Sequence, residues 1–300
     1  MVTTSPGFLQ SWLLAARPKT LWAAVGPVMV GTALAFGDQH LHLPSALAAL
    51  AGAILLQIGT NFCNDYADFK KGADTVHRVG PARAVASGWI TPRQMLIATV
   101  LVFALAALVC GYLVTRAGWP LVVLGIVSIF AGVIYTAGPY PLAYLGLGDL
   151  FVLVFFGPVA VLGTYYVQAL EFSPIAFYAG IGPGVLSVAI LTVNNLRDVA
   201  NDAVAGKRTL AVRWGVTFAR AEYIACILIA SAMPFWLVQM GGPTRSNAIM
   251  ASLIAFAAWP VIRLVCTKTG RELNPGLGMT ALLLLAYCMT FSIGWNVVVP

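Results

Sequence analysis

Charged side chains are absent from long runs of this chain and crowded into the short segments between them. The charge-free runs cover residues 21–37, 43–64, 94–115, 117–148, 150–170, 172–196, 223–244, 246–262 and 273–300. Most approach or exceed the ~20 apolar residues that a helix needs to cross a bilayer. Within 117–148, Gly138-Pro139-Tyr140-Pro141 breaks the run, because proline lacks a donor and Gly-Pro marks a turn. The pattern therefore predicts one helix near 119–137 and another beginning near Gly148. In all it predicts an all-α, polytopic membrane protein with nine transmembrane helices and a single domain over residues 1–300. The N-terminus does not read as a cleavable signal peptide: no basic region precedes the first apolar run, and Arg17 and Lys19 interrupt it.

Composition sharpens this reading. Only 9% of the 300 residues are charged and 60% are hydrophobic, against roughly 25% charged in a soluble protein. Twenty-seven charges cannot cover a soluble surface of this size, which excludes a soluble enzyme, a disordered chain and a nucleic-acid binder. The net charge of +7 reflects topology, not a nucleic-acid partner. With nine spans, fifteen of the 17 basic residues fall on one side, and only Arg116 and Arg245 on the other. The positive-inside rule places that basic side, and the N-terminus, in the cytoplasm, and the C-terminus outside. The five cysteines form no CxxC pair, so neither a disulfide framework nor a zinc site is suggested.

The acidic residues also cluster. Asn61, Asn64, Asp65 and Asp68 stand at i, i+3, i+4 and i+7, one face of a helix if helix 2 continues. Asp74 follows. Asn194, Asn195, Arg197, Asp198 and Asp202 end helix 6, with the two aspartates at i, i+4. Like charges at that spacing repel, so a cation should compensate them. Each cluster has a glycine four residues after an aspartate, Gly72 and Gly206, a hint of internal duplication. Magnesium suits such a site, since it takes oxygen ligands and shares them with substrate phosphates. Two clusters facing one cavity, near the cytoplasmic side of a helical bundle, can hold magnesium bridging a diphosphate, while Arg78, Arg83, Lys207 and Arg208 meet the remaining phosphate charge.

Asn61-x2-Asn64-Asp65-x2-Asp68-x5-Asp74, with Arg78-Val-Gly-Pro81-Ala-Arg83, resembles the first aspartate motif of the UbiA-type intramembrane aromatic prenyltransferases. Asn194-Asn195-Leu-Arg197-Asp198-x3-Asp202-x3-Gly206-Lys207-Arg208 resembles the second. Ala16-Arg17-Pro18-Lys19-Thr20, Tyr135-Thr-Ala-Gly138-Pro139-Tyr-Pro141, Gly146-Leu-Gly148-Asp149 and the stretch 157–166 resemble the menaquinone-pathway branch of that superfamily. The likeness covers roughly residues 12–215. His77, before Arg78, departs from the polar or acidic residue expected there.

The resemblance implies transfer of a polyprenyl group from its diphosphate to 1,4-dihydroxy-2-naphthoate in a bacterial plasma membrane. The ring carboxylate and diphosphate leave, giving demethylmenaquinol. Its implied cofactor is Mg2+. Asn61, Asn64, Asp65, Asp68 and Asp74 would serve one ion and Asp198 and Asp202 a second. Arg17, Lys19, Tyr135, Asp149, Asn194, Asn195 and Arg197 are candidates for the aromatic substrate. For Arg17 and Lys19 an interfacial anchor is an equal reading. For Tyr135 ordinary packing is the commoner role, and for Asp149 a helix N-cap is an equal one. Other acceptors, 4-hydroxybenzoate or homogentisate, and a secondary transporter are the alternatives. Glycine-rich helices (Gly 29) permit close packing within one chain or in a homo-oligomer.

Overall fold

The computed structural model describes residues 6–72, 79–241 and 243–297. Asp74, His77 and Arg78 lie outside the described residues. Those described are helical, with no strand among them. They form α1 (Phe8–Ala16), α2 (Trp22–Gly37), α3 (Leu43–Lys70), α4 (Pro92–Ala117), α5 (Trp119–Ile134), α6 (Gly148–Phe155) and α7 (Pro158–Ala169). There follow α8 (Pro174–Ala179), α9 (Ile181–Val204), α10 (Leu210–Gly241), α11 (Ile254–Ala257), α12 (Trp259–Thr267) and α13 (Asn274–Asn296). Turns of 3-10 helix cover Pro18–Thr20, Pro243–Leu253 and Gly270–Leu273.

Polar caps set the starts. The Thr91 hydroxyl accepts from the Gln94 N–H, and Gln94 Oε1 accepts from the Thr91 N–H, a reciprocal box with Pro92 in the first turn. The Ser173 hydroxyl caps α8 by accepting from the Ala176 N–H at 3.2 Å, ahead of Pro174. Gly118, at φ 76°, lets α4 turn directly into α5.

Seven helical runs are long and apolar enough to cross a membrane: Leu43–Lys70, Pro92–Ala117, Gly148–Ala169, Pro174–Val204, Leu210–Gly241, Arg245–Thr267 and Gly270–Asn296. An eighth forms if Phe8–Thr20 and Trp22–Gly37, bent by 52°, count as one span. By length and composition, then, seven or eight spans stand among the described residues, and the expected count of nine is not confirmed. The shortfall is α5. Its 16 residues rise about 24 Å, short of a ~30 Å hydrocarbon core. The chain leaves the helix at Tyr135, ahead of the Gly138-Pro139 break. The fifth expected span is also interrupted, at Gly157 between α6 and α7.

The centre of the bundle is α9. In its run, Pro174–Val204, 72% of the most apolar window is buried, against 22–44% in the other six. The others therefore turn much of their apolar surface outward, as an integral membrane protein does. Close approach around α9 depends on absent side chains. A Cβ on Gly180 would lie 2.5 Å from Pro158 Cα, and one on Gly184 would lie 2.8 Å from the Leu153 carbonyl oxygen.

The ends of the bundle differ in charge. The C-termini of α3 and α9 carry the aspartate motifs and meet, as Lys207 is 3.1 Å from Asp68. The two exceptional arginines lie at the far end. Arg116 donates to the Gln168 carbonyl near the end of α7, and Arg245 pairs with Asp38 just past α2 at 2.6 Å.

Candidate active site

From Ala49 through Gly52, Leu56 and Thr60 to Asn64 and Asp68, α3 turns one stripe of side chains to a cavity of about 730 Å³. The nineteen steps of helix from Ala49 to Asp68 rise about 28 Å, so the cavity runs nearly the depth of a bilayer. Its far end is closed by Leu113, Leu121 and Val167, which pack together in one buried cluster. Phe151, Phe155, Phe156 and Tyr135 supply aromatic wall. The near end is ionic: both aspartate motifs and Arg17, Lys19, Arg83 and Lys207 line it.

The unbroken α3 puts Asn61, Asn64, Asp65 and Asp68 on one buried face, as their spacing predicts, but each has a different partner. Asn61 Nδ2 donates to the Ala16 carbonyl at 2.9 Å and to Thr20 Oγ1 at 3.2 Å, tying α3 to the corner between α1 and α2. Asn64 Oδ1 accepts from the Thr136 hydroxyl. The Asp65 carboxylate accepts from the N–H groups of Ala84 (3.0 Å) and Val85 (3.3 Å), which fixes the loop entering α4. Asp68 is the most heavily ionic: Arg83 Nη2 is 3.0 Å away, Lys207 Nζ 3.1 Å, and the Tyr144 hydroxyl 3.4 Å. Buried charge must be paired in this way to be tolerated.

The cation expected beside Asp198 is its neighbour. Arg197 grips it through Nε at 2.9 Å and Nη2 at 2.5 Å, and donates to Asn194 at 2.8 Å and Asn274 at 3.3 Å. Arg197 is thus spent largely on Asp198, although it still lines the cavity. Asn194, Asn195, Asn201 and Asp202 line the same wall.

Two predicted residues do not join the others. Arg208 is exposed and outside the cavity lining; only its backbone N–H reaches the site's surroundings, donating to the Tyr144 carbonyl at 3.1 Å. Asp149 is buried in the first turn of α6 but does not line the cavity. It does not cap its helix, since the N-cap position is Leu147, without a side-chain bond. Its Oδ1 has no hydrogen-bond partner. Tyr135 lines the cavity within electrostatic reach of Asp68, Asp149 and Asp202.

Sequence reasoning missed Thr136, Tyr144, Lys71 and Asn274. Asn274 carried a usable signal, a polar residue opening the last span on the basic side. The others come from loops and carried none. Partial burial lowers the Lys71 ammonium from the ordinary lysine range, Asp68 opposing the shift and Lys207 adding to it.

The residues at the ionic end fit magnesium by donor chemistry, since the carboxylates and carboxamides of both motifs offer oxygen. Among the described residues no three His, Cys, Asp or Glu side chains converge on a metal position.

A helical membrane bundle with a cavity ionic at one end and apolar over the rest defines a class: an integral membrane protein built to take an amphiphile with an anionic head. Residues 24–283 match the UbiA prenyltransferase family, and the chain belongs to that family. It is 40% identical over 278 residues to 1,4-dihydroxy-2-naphthoate octaprenyltransferase of Mycobacterium tuberculosis, covering 93% of this chain and 94% of that one. It is 44% identical to the Escherichia coli protein of the same name over 230 residues, 74% of each chain. The fold is similar to that of a UbiA homologue from Archaeoglobus fulgidus solved with DMAPP and Mg2+, with TM-score 0.64, 17% identity, and 94% and 99% of the two chains covered. It is also similar to a UbiA homologue from Aeropyrum pernix K1, with TM-score 0.65, 16% identity, and 92% and 96% covered.

Proposed function

We propose that this protein transfers a polyprenyl group from its diphosphate to 1,4-dihydroxy-2-naphthoate, with release of diphosphate and the ring carboxylate, giving demethylmenaquinol for menaquinone synthesis. The names of its relatives at 36–44% identity support the acceptor. The observation that carries the reading is the cavity: paired acids and bases at one end, and apolar and aromatic wall over the rest of its length of about 28 Å. The charged head and long tail of a prenyl diphosphate match those two halves.

In this reading Arg83 and Lys207 leave Asp68 to meet the diphosphate. Magnesium, when bound, supplies further positive charge to the leaving oxygens, and Asp68, Asp198 and Asp202, with Asn61 and Asn64, are the residues that would hold it. Asp65 anchors the 84–85 loop that delivers Arg83. The allylic C–O bond breaks with its electron pair going to diphosphate. Phe151, Phe155, Phe156 and Tyr135 present ring faces to the allylic cation and exclude water. The naphthoate ring supplies the pair for the new C–C bond, and carbon dioxide leaves with its bonding pair restoring the aromatic ring. Arg17 and Lys19 anchor the carboxylate until then. The fifteen basic residues on one side support an active site facing the cytoplasm of a bacterial plasma membrane, and residues 1–300 act as one domain.

The test is transfer by detergent-purified protein from farnesyl diphosphate to dihydroxynaphthoate, 4-hydroxybenzoate and homogentisate. Product and diphosphate should appear with dihydroxynaphthoate alone, vanish with EDTA and return with magnesium. Asp68→Asn and Asp198→Asn should each lose at least about 100-fold in kcat/KM. Near-wild-type rates in either variant would refute the two-motif site.

A further inference from the structure

Tyr144, in the loop between α5 and α6, has no part in the chemistry above, yet it sits where the two aspartate motifs meet. Its ring receives two ammonium groups, Lys71 Nζ at 4.6 Å from the centroid and Lys207 Nζ at 5.2 Å. Its hydroxyl donates to Asp68 Oδ1 at 3.4 Å, the carboxylate that also holds Lys207. The backbone secures the ring. The Tyr144 carbonyl accepts from the Arg208 N–H at 3.1 Å, and Arg213 Nη2 donates to the Leu145 carbonyl at 2.7 Å. Lys71 Nζ donates to the carbonyls of Thr136 at 2.8 Å and Gly138 at 3.2 Å, pinning the far side of the same loop.

A lysine is a point charge on a flexible stem, and its own geometry does not fix where the ammonium rests. Near the water interface, Lys207 gains from turning outward, where its charge is hydrated. The negative face of an aromatic ring counters that pull and holds a cation in a defined place. Lys71, already bonded to two carbonyls, is the fixed cation on the ring, and Lys207 the one with work to do.

We propose that Tyr144 is a positioning residue, which keeps the Lys207 ammonium turned into the cavity so that an arriving diphosphate meets a cation already in place. This rests on the prenyl diphosphate reading of the site. It makes Tyr144 a determinant of donor affinity, acting through its ring on Lys207.

Tyr144→Leu, Tyr144→Phe, Lys207→Ala and the Tyr144→Leu/Lys207→Ala double variant are compared in detergent. Binding of farnesyl S-thiolodiphosphate with magnesium is titrated, and transfer kinetics are measured in parallel. Tyr144→Leu should raise the analogue Kd and the donor KM about tenfold. Its kcat and acceptor KM should stay within about twofold. Tyr144→Phe keeps the ring and should stay within about threefold of wild type. In the Lys207→Ala background, Tyr144→Leu should add less than about twofold, because the group it positions is gone. An unchanged Kd in Tyr144→Leu, an equal loss in Tyr144→Phe, or the full loss persisting without Lys207 would each overturn the proposal. Should Tyr144→Leu not fold, Tyr144→Met carries the same expectations. A wild-type protein that binds no analogue overturns the proposed function as well, whereas a binding wild type with an unaffected Leu variant overturns only the role of Tyr144.

Discussion

Gly80 is a position where a single methyl group should disturb the ionic end of the cavity. A Cβ there would lie 2.7 Å from Arg197 Nη2 and 2.9 Å from Cζ. The end of an arginine side chain ordinarily moves aside at little cost. This one is buried and held by Asp198 through two nitrogens, by Asn194 at 2.8 Å and by Asn274 at 3.3 Å. To clear a methyl group it must give up at least one hydrogen bond to a charged partner, each worth about 1.5–3 kcal/mol. If that loss falls on the reacting complex, Gly80→Ala should lower kcat/KM by about 10- to 150-fold. Initial rates at varied donor and acceptor, with protein of confirmed thermal unfolding behaviour, measure this directly. Gly111→Ala is the control, since a Cβ there meets nothing within 4 Å and the helix gains up to about 1 kcal/mol from the exchange. A Gly80→Ala protein whose kcat/KM matches that of Gly111→Ala would refute the idea that Arg197 is immobile.

Two further outcomes concern the opposite end and the orientation. Arg245→Ala removes a largely buried ion pair to Asp38 and a contact over the Trp295 ring, so it should cost about 1–2 kcal/mol of stability and leave kcat/KM unchanged; a tenfold loss of activity would show that the far end is coupled to the site. The last helix ends beside Arg245 at the far end, so with the basic side cytoplasmic as proposed a C-terminal alkaline phosphatase fusion should be active and a C-terminal green fluorescent protein fusion dark; the reverse pattern would invert the topology.

What was legible in the sequence follows from what is local. Charge-free runs located the helices, and the 61–68 spacing located one face of α3, since both depend only on helical period. The count of nine is not confirmed because α5 has only 16 residues, although the charge-free run around it continues to Gly148. Partners were illegible for the same reason: Asn61 finds Thr20, and Asn64 finds Thr136, across gaps that no pattern bridges. Lys207 and Arg208 are adjacent in sequence and read alike, yet the turn after α9 points one inward and the other to water. Tyr144 is one of 10 tyrosines and gains its role only when two loops meet beneath it.

The internal pairing of Asp65, Asp68 and Asp198 bears on turnover. Each of these three carboxylates has donors from the protein itself, so none of them stands as a bare anion at the bilayer's edge. A diphosphate and its cation therefore enter by trading partners, not by filling a void. In the proposed reaction the same trade would run backward when diphosphate departs, with Arg83 and Lys207 returning to Asp68 and leaving a neutralised carboxylate behind. Binding by exchange keeps the head group's net grip modest even though many strong contacts form, which lets a membrane enzyme release so highly charged a product after each transfer.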